Sequence, residues 1–320
     1  MATKLVRILS WTVWVFFAVL FISDVAYGWG PGVHVDTSRF VLENLMLLSP
    51  LIRKLIHSHP FAFIYGSVSP DMVLGKRFMK AEHNNHNWSF GFNLLESAET
   101  ERQKSFALGY LAHLAADTVA HNQFVPDRLI TDYGKRRRGH MSQELIFDSM
   151  MADDVWTIAR IASRRPFREC DTLLVKRLTG TPLPRNMNRR LFKSGMMLVK
   201  YGGWARVVKH VRRRAKHDMD DDAMQPYLDA IRKATIDILN DHQSAECLLH
   251  EPTGGDVLPE AESLKVSLRK LAKTKQHEEE EYDRLVGVFR DWRMNTLFPA
   301  DISGPMTGEE AEAILADTGV

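Results

Sequence analysis

Cysteine is almost absent: Cys170 and Cys247 are the only two in 320 residues. A disulfide scaffold and a four-cysteine zinc site are thereby excluded, and at most one bridge can form, in an oxidising compartment. Charge of one sign is lacking as well, since 42 Lys+Arg face 40 Asp+Glu for a net +2. That excludes a purely electrostatic nucleic-acid binder. Glycine (19) and proline (13) are too sparse for a collagenous or low-complexity chain. There is no run of strands with period-two alternation, no internal repeat, no Gly-x-Ser-x-Gly element and no phosphate-binding glycine loop. These absences argue against a serine nucleophile and a nucleotide-driven enzyme. What the sequence does have is histidine: 13 in all, eight of them between His34 and His140.

The N-terminus reads as a leader. Lys4 and Arg7 precede an uncharged apolar run from Ile8 to Ile22, followed by Ala26-Tyr27-Gly28 with small residues at the −3 and −1 positions of a cleavage site. The run is short of the roughly 20 residues that span a bilayer, so residues 1–28 are expected to be a signal peptide rather than an anchor. Cleavage would release the chain to a secreted or periplasmic location with Trp29 as its first residue. A free α-amino group, with a pKa of about 8, is a zinc ligand once deprotonated.

From Trp29 onward apolar residues recur at helical spacing, and the expected class is all-α. One helix is expected from Val35 to before Pro50, and another opens at Ser49-Pro50, with His57 and His59 as surface histidines at its end. Gly66 to Asp71 reads as a loop, because Pro70 biases Ser69 away from helix. Thr100 is placed to cap a helix reaching Phe124, and a basic loop, Lys135 to Gly139, leads into a helix from about His140 to Ile161. Residues 164–217 are basic and punctuated by prolines. Their Arg212-Arg213-Arg214 run suits either contact with anionic lipid or a solvated face paired with Asp218 to Asp222. Helical patterns resume over 224–249 and 259–297, separated by Thr253-Gly254-Gly255. The expected division is a helical domain over 29–250 and a helical extension over 251–320.

His113, Asp117 and His121 recur every fourth residue. At about 100° per residue this confines all three to an arc of about 80° on one helix face. Imidazole and carboxylate are donors that Zn²⁺ takes, and the intervening Leu114, Ala115, Ala116 and Ala120 are small or apolar. A solvated polar stripe would have polar neighbours instead. The following helix offers His140 and Glu144, a pair that alone is an ordinary helix-surface interaction. Upstream stand His34, Asp71, His83 and His86. With the Trp29 nitrogen these supply enough nitrogen and oxygen donors for three zincs.

Trp29-Gly30-x-x-x-His34, Ser69-Pro70-Asp71, His86-x-Trp88, Gly109-Tyr110-Leu111-x-His113-x-x-x-Asp117-x-x-x-His121 and His140-x-x-x-Glu144, in that order, resemble the zinc-dependent phospholipase C family. That family is related to the fungal and plant single-strand nucleases and to the catalytic domain of GPI-specific phospholipase D. The resemblance runs from Trp29 to Ile161 and implies an all-α domain with a trinuclear zinc cluster. It places the Trp29 amino and carbonyl groups, His34 and Asp117 on one zinc, and Asp71, His86, His113 and a bridging Asp117 on its neighbour. His121, His140 and Glu144 would hold the third. His83 is the alternative to His86, which Trp88 favours by its spacing. The bacterial phospholipases have a longer gap after the central Asp than the three residues found here.

Two zincs sharing Asp117 would lower the pKa of a shared water toward about 7. In-line attack on phosphorus would follow, with Asp71 a ligand that doubles as proton acceptor and no protein nucleophile required. The expected activity is hydrolysis of phospholipid head groups by a monomer. One alternative is a single-strand nuclease using the same zincs; Trp88, Phe90, Phe92 and Tyr133 would serve either bases or choline head groups and so do not separate the two readings, and each ring is more simply explained as core. The other is a membrane-associated zinc protein without catalysis, docked through Lys135 to Arg138 or Arg212 to Arg214.

Overall fold

The structure, a computed structural model, describes residues 29–72, 85–132, 140–178, 211, 221–255 and 257–274. In chain order the helices are α1 (Pro31–Glu43), α2 (Pro50–Ser58), α3 (Pro60–Val68), α4 (Trp88–Glu96), α5 (Glu101–Val119), α6 (Val125–Thr131), α7 (His140–Met150), α8 (Asp153–Ser163), α9 (Arg168–Arg177), α10 (Asp221–Asn240) and α11 (Val257–Thr274). Short 3₁₀ turns lie at Leu45–Leu47, Pro70–Met72 and Glu246–Leu249, and a π turn at Ala120–Phe124 joins α5 to α6. Among the described residues there is no strand, in keeping with the all-α expectation.

α5 is the axis of the fold. Thr100 caps it through its hydroxyl on the Gln103 amide while the Gln103 side chain returns to the Thr100 amide, a complete capping box. Every residue from Ser105 to Val119 is buried, so the helix is enclosed around its whole circumference, as a central helix must be. α3, α4 and α10 surround it, while α1 lies across α3 and α8. α11 packs on α6 and the π turn.

Two glycines set the closest crossing. A Cβ on Gly66 would stand 1.9 Å from the Phe106 carbonyl oxygen, and one on Gly109 would stand 2.0 Å from that of Phe63. Any larger residue at either position would push α3 away from α5.

Several boundaries differ from the sequence reading. Residues Gly66 to Asp71 are not a loop: α3 runs through Val68, and Pro70 and Asp71 form a 3₁₀ turn. Its apolar residues are buried on all sides, so they show no helical period. The helix expected over 140–161 is two helices that break at Met151-Ala152, with no proline or glycine to announce it. The pattern over 224–249 divides into α10, ending at Asn240, and a 3₁₀ turn. Cys170 and Cys247 are free thiols, both buried, so the pairing left open by the sequence is absent. Residues 1–28, His83, the basic runs at 135–138 and 212–214, Tyr133 and residues 275–320 lie outside the described part.

Candidate metal centre

α5 carries the centre. Gly109 brings α3 close enough for His113 Nδ1 to reach the Ser67 carbonyl at 2.8 Å. A carbonyl only accepts, so that nitrogen holds the proton and His113 Nε2 presents its lone pair. Asp117, one turn on, faces the same way, with its Oδ2 3.0 Å from His113 Nε2. Asp71 arrives on its 3₁₀ turn and His86 just before α4. His86 Nε2 lies 3.2 Å from Asp71 Oδ1 and 3.3 Å from His113 Nε2. Asn85 holds this junction, donating to the Pro70 carbonyl at 3.0 Å and accepting from the Tyr110 hydroxyl on its own carbonyl at 2.7 Å.

The start of the described chain enters the same site. The Trp29 amide lies 3.2 Å from Asp117 Oδ1, and its carbonyl lies 3.1 Å from His34 Nε2. His34 Nε2 in turn stands 3.4 Å from Asp117 Oδ1, and its ring stacks on that of His113 with centroids 3.8 Å apart. The Trp29 indole is wholly buried between Phe124 and Phe147 and donates to the Ala116 carbonyl at 2.8 Å. Asp148, which the sequence reading passed over, secures this entry. Its buried carboxylate accepts from the Val33 amide at 2.9 Å, capping α1, and only glycine at position 30 leaves room for it. The signal was available, since Asp148 follows Glu144 by one turn on α7.

Asp71, His86, His113 and Asp117 each place one ligating atom within 4.8 Å of the others. The donor set fits a cation. His113 Nε2 and Asp117 Oδ2 are both electron-rich and face each other, and Asp117 Oδ2 is buried without accepting a hydrogen bond. Imidazole nitrogen with carboxylate oxygen is a zinc donor set, and the Ser67 carbonyl is the orienting contact that ligating histidines need. In the metal-free chain burial opposes charge on His113, yet Asp117 and Asp71 outweigh it and raise its pKa. Burial and then His113 lower that of His34. Burial also resists ionisation of Asp117, but His113 and His34 hold its carboxyl well below the usual range. Protons thus serve where a cation would.

His121 is not in that group. It sits in the π turn, where the backbone leaves α geometry: the Val125 amide bonds back to the Ala120 carbonyl, five residues earlier. Pro126 explains the change, because it has no amide hydrogen and its ring would strike the Asn122 carbonyl in a continued α-helix. His121 Nε2 points to Glu144 Oε1 at 3.6 Å, and its Nδ1 donates to the Pro252 carbonyl. Burial raises the Glu144 carboxyl well above its usual range; His121 partly offsets this, and the charges of Asp117 and Asp71 add to it. The two groups are therefore electrostatic neighbours. His140 begins α7, and its side chain lies outside the described part.

Trp88 does not offer a ring face: it is buried, stacks on Phe92 and donates to the His250 carbonyl at 2.8 Å. The Ser67 and Pro252 carbonyls were not foreseen, since a backbone carbonyl carries no residue-type signal.

Residues 33–182 match the family model described as zinc dependent phospholipase C. No curated protein and no solved structure matches the chain.

Proposed function

The chain belongs to the zinc-dependent phospholipase C family, and from that premise we propose that it hydrolyses phospholipid head groups at a centre of three zincs. The observation that carries the reading is the convergence of Asp71, His86, His113 and Asp117, with the His113 Nδ1 proton engaged on Ser67 so that its lone pair faces the carboxylates. Asp71, His86, His113 and Asp117 would hold one zinc, Asp117 would share a second with His34 and the Trp29 backbone, and His121, Glu144 and His140 would hold the third. Zinc bound here supplies Lewis acidity, neutralising phosphate charge and acidifying water.

The residues divide the remaining work. Asp117 is fully buried, whereas the Asp71 side chain is 11% exposed, which makes it the carboxylate that solvent reaches. Asp71 takes the proton of the attacking water as oxygen bonds to phosphorus, and the bond from phosphorus to the glycerol oxygen breaks. The leaving oxygen takes its proton from solvent. His34 and His113, stacked and buried, lie 3.4 Å and 3.0 Å from the Asp117 carboxylate and fix its position. Trp29, wholly buried against Phe124 and Phe147, closes the inner wall of the site.

Export and removal of residues 1–28 belong to this reading, because a Trp29 amine in place of an amide adds a nitrogen donor beside Asp117. The substrate is a phospholipid and the chain acts as a monomer at an anionic membrane surface. The test pairs metal analysis by inductively coupled plasma mass spectrometry with hydrolysis of phosphatidylcholine and of single-stranded DNA. Zinc-dependent release of phosphorylated head group supports the proposal. Cleavage of DNA alone would replace it with the nuclease, and bound zinc without either activity with a non-catalytic zinc protein.

A further inference from the structure

The matched residues end at 182, yet the peptide 250–254 touches the centre at both flanks. On one flank the His250 carbonyl accepts from Trp88, two residues beyond His86. On the other, the Pro252 carbonyl receives His121 Nδ1, and the Glu251 carbonyl receives Asn122 Nδ2 at 3.0 Å. Asn122 is itself fixed to the Thr118 carbonyl at 2.8 Å, so the π turn and the peptide are tied side by side. The peptide closes as a turn, with the Gly254 amide on the Glu251 carbonyl at 3.0 Å. Gly254 is left-handed, at φ 62°, and a Cβ there would stand 2.7 Å from His121 Cβ and from the His121 carbonyl oxygen. Its own carbonyl then starts α11 by accepting from the Leu258 amide at 3.0 Å.

We propose that the strap Glu251–Gly254 is the orienting shell of the His121–Glu144 metal site, with Pro252 and Gly254 as positioning residues supplied from outside the matched region and Asn122, within it, as the residue that ties the strap to the π turn. The inference rests on the zinc reading above. The Pro252 carbonyl selects the tautomer in which His121 Nε2 is the lone-pair atom aimed at Glu144. π turns inserted in α-helices are frequent at functional sites. Asn122 and the missing Cβ of Gly254 hold the strap against this one. The second half of the chain thereby completes a site whose ligands all come from the first half.

The experiment compares the full mature chain with Gly254→Ala, Asn122→Ala and a core control, Leu239→Ala in α10, each stripped of metal and titrated with zinc and then cobalt. Gly254→Ala and Asn122→Ala are expected to weaken one class of zinc by about 10- to 100-fold. They should alter the visible spectrum of the cobalt bound in that class and leave the remaining metal unchanged. Leu239→Ala is expected to lower the melting temperature without changing the spectrum. Wild-type zinc affinities and cobalt spectra in both strap variants would overturn the strap's role. So would a loss of all metal classes in proportion to lost stability. A wild-type chain that takes up no zinc would overturn the underlying zinc reading itself, a result distinct from either.

Discussion

His113 Nδ1 meets the carbonyl oxygen of Ser67 at 2.8 Å, and the contact exists because Gly66 and Gly109 let two helices touch backbone to backbone. Ser67 adjoins the first glycine, and His113 lies one turn beyond the second. Gly109→Ala is expected to destabilise the metal-free chain by about 3 kcal/mol, because the added methyl meets a backbone carbonyl that cannot swing aside. Chemical denaturation measures the loss, and zinc content should fall with it.

Asp117 is the carboxylate common to two of the proposed zincs. Asp117→Asn keeps the size of the side chain and an oxygen for the Trp29 amide, so the chain should fold. Head-group hydrolysis should fall by about a hundredfold or more, with zinc lost on dialysis. The variant should also lose an acid sensitivity. Asp117 has its folded pKa depressed, so its contribution to stability is present above the unfolded value and disappears as pH falls through the folded one. Acid titrations of the two metal-free proteins, followed by circular dichroism, should separate on that account.

Glu144 has the opposite sign. Burial raises its folded pKa, so its contribution is full below the unfolded value of about 4.3 and is lost as pH rises toward the folded one. Glu144→Gln removes that penalty. The metal-free variant should melt higher than wild type at pH 7 and bind zinc about 10- to 100-fold more weakly. A lower melting temperature in the metal-free variant would show that the carboxylate is stabilising there.

How much of this was legible in the sequence depends on the kind of atom involved. The Thr100 cap, the burial of α5 and the common direction of His113 and Asp117 follow from side-chain identity and period, and the structure has them. The helix at Pro60–Val68 was hidden because a segment buried on every face has no polar side to give it a period. His121 was placed on the face of Asp117 by α-helical arithmetic that stops at Val119, where Pro126 widens the turn. Ser67 and Pro252 act through carbonyls, which all residues possess, and so no reading of residue types could find them.

Cys170 and Cys247 should resist modification in the folded chain. Burial pushes each thiol up to about 12, with Glu169 and then Asp171 adding to the rise at Cys170 and Asp237 at Cys247. At pH 8 neither should react with a disulfide reagent until denaturant is added, whereupon both should titrate. Because their folded pKa values are raised, the chain should also lose stability as pH climbs from about 8.5 toward those values. A native chain that titrates no thiol even when unfolded would instead contain the bridge.

The π turn at Ala120–Phe124 has a bearing on how such a site can change. His113 and Asp117 keep their bearings from the α-helical part of the rod, whereas His121 takes its bearing after the helix has been overfilled by one residue. Deleting a single residue between Val119 and Val125, with Pro126 replaced so that its ring no longer opposes a continued α-helix, would take out about 100° of turn between the two parts. The first half of the constellation would keep its aim while the second lost it. The two halves are thus separately tunable: one residue of length, at a turn that is itself part of the core, is enough to redirect half of the chemistry.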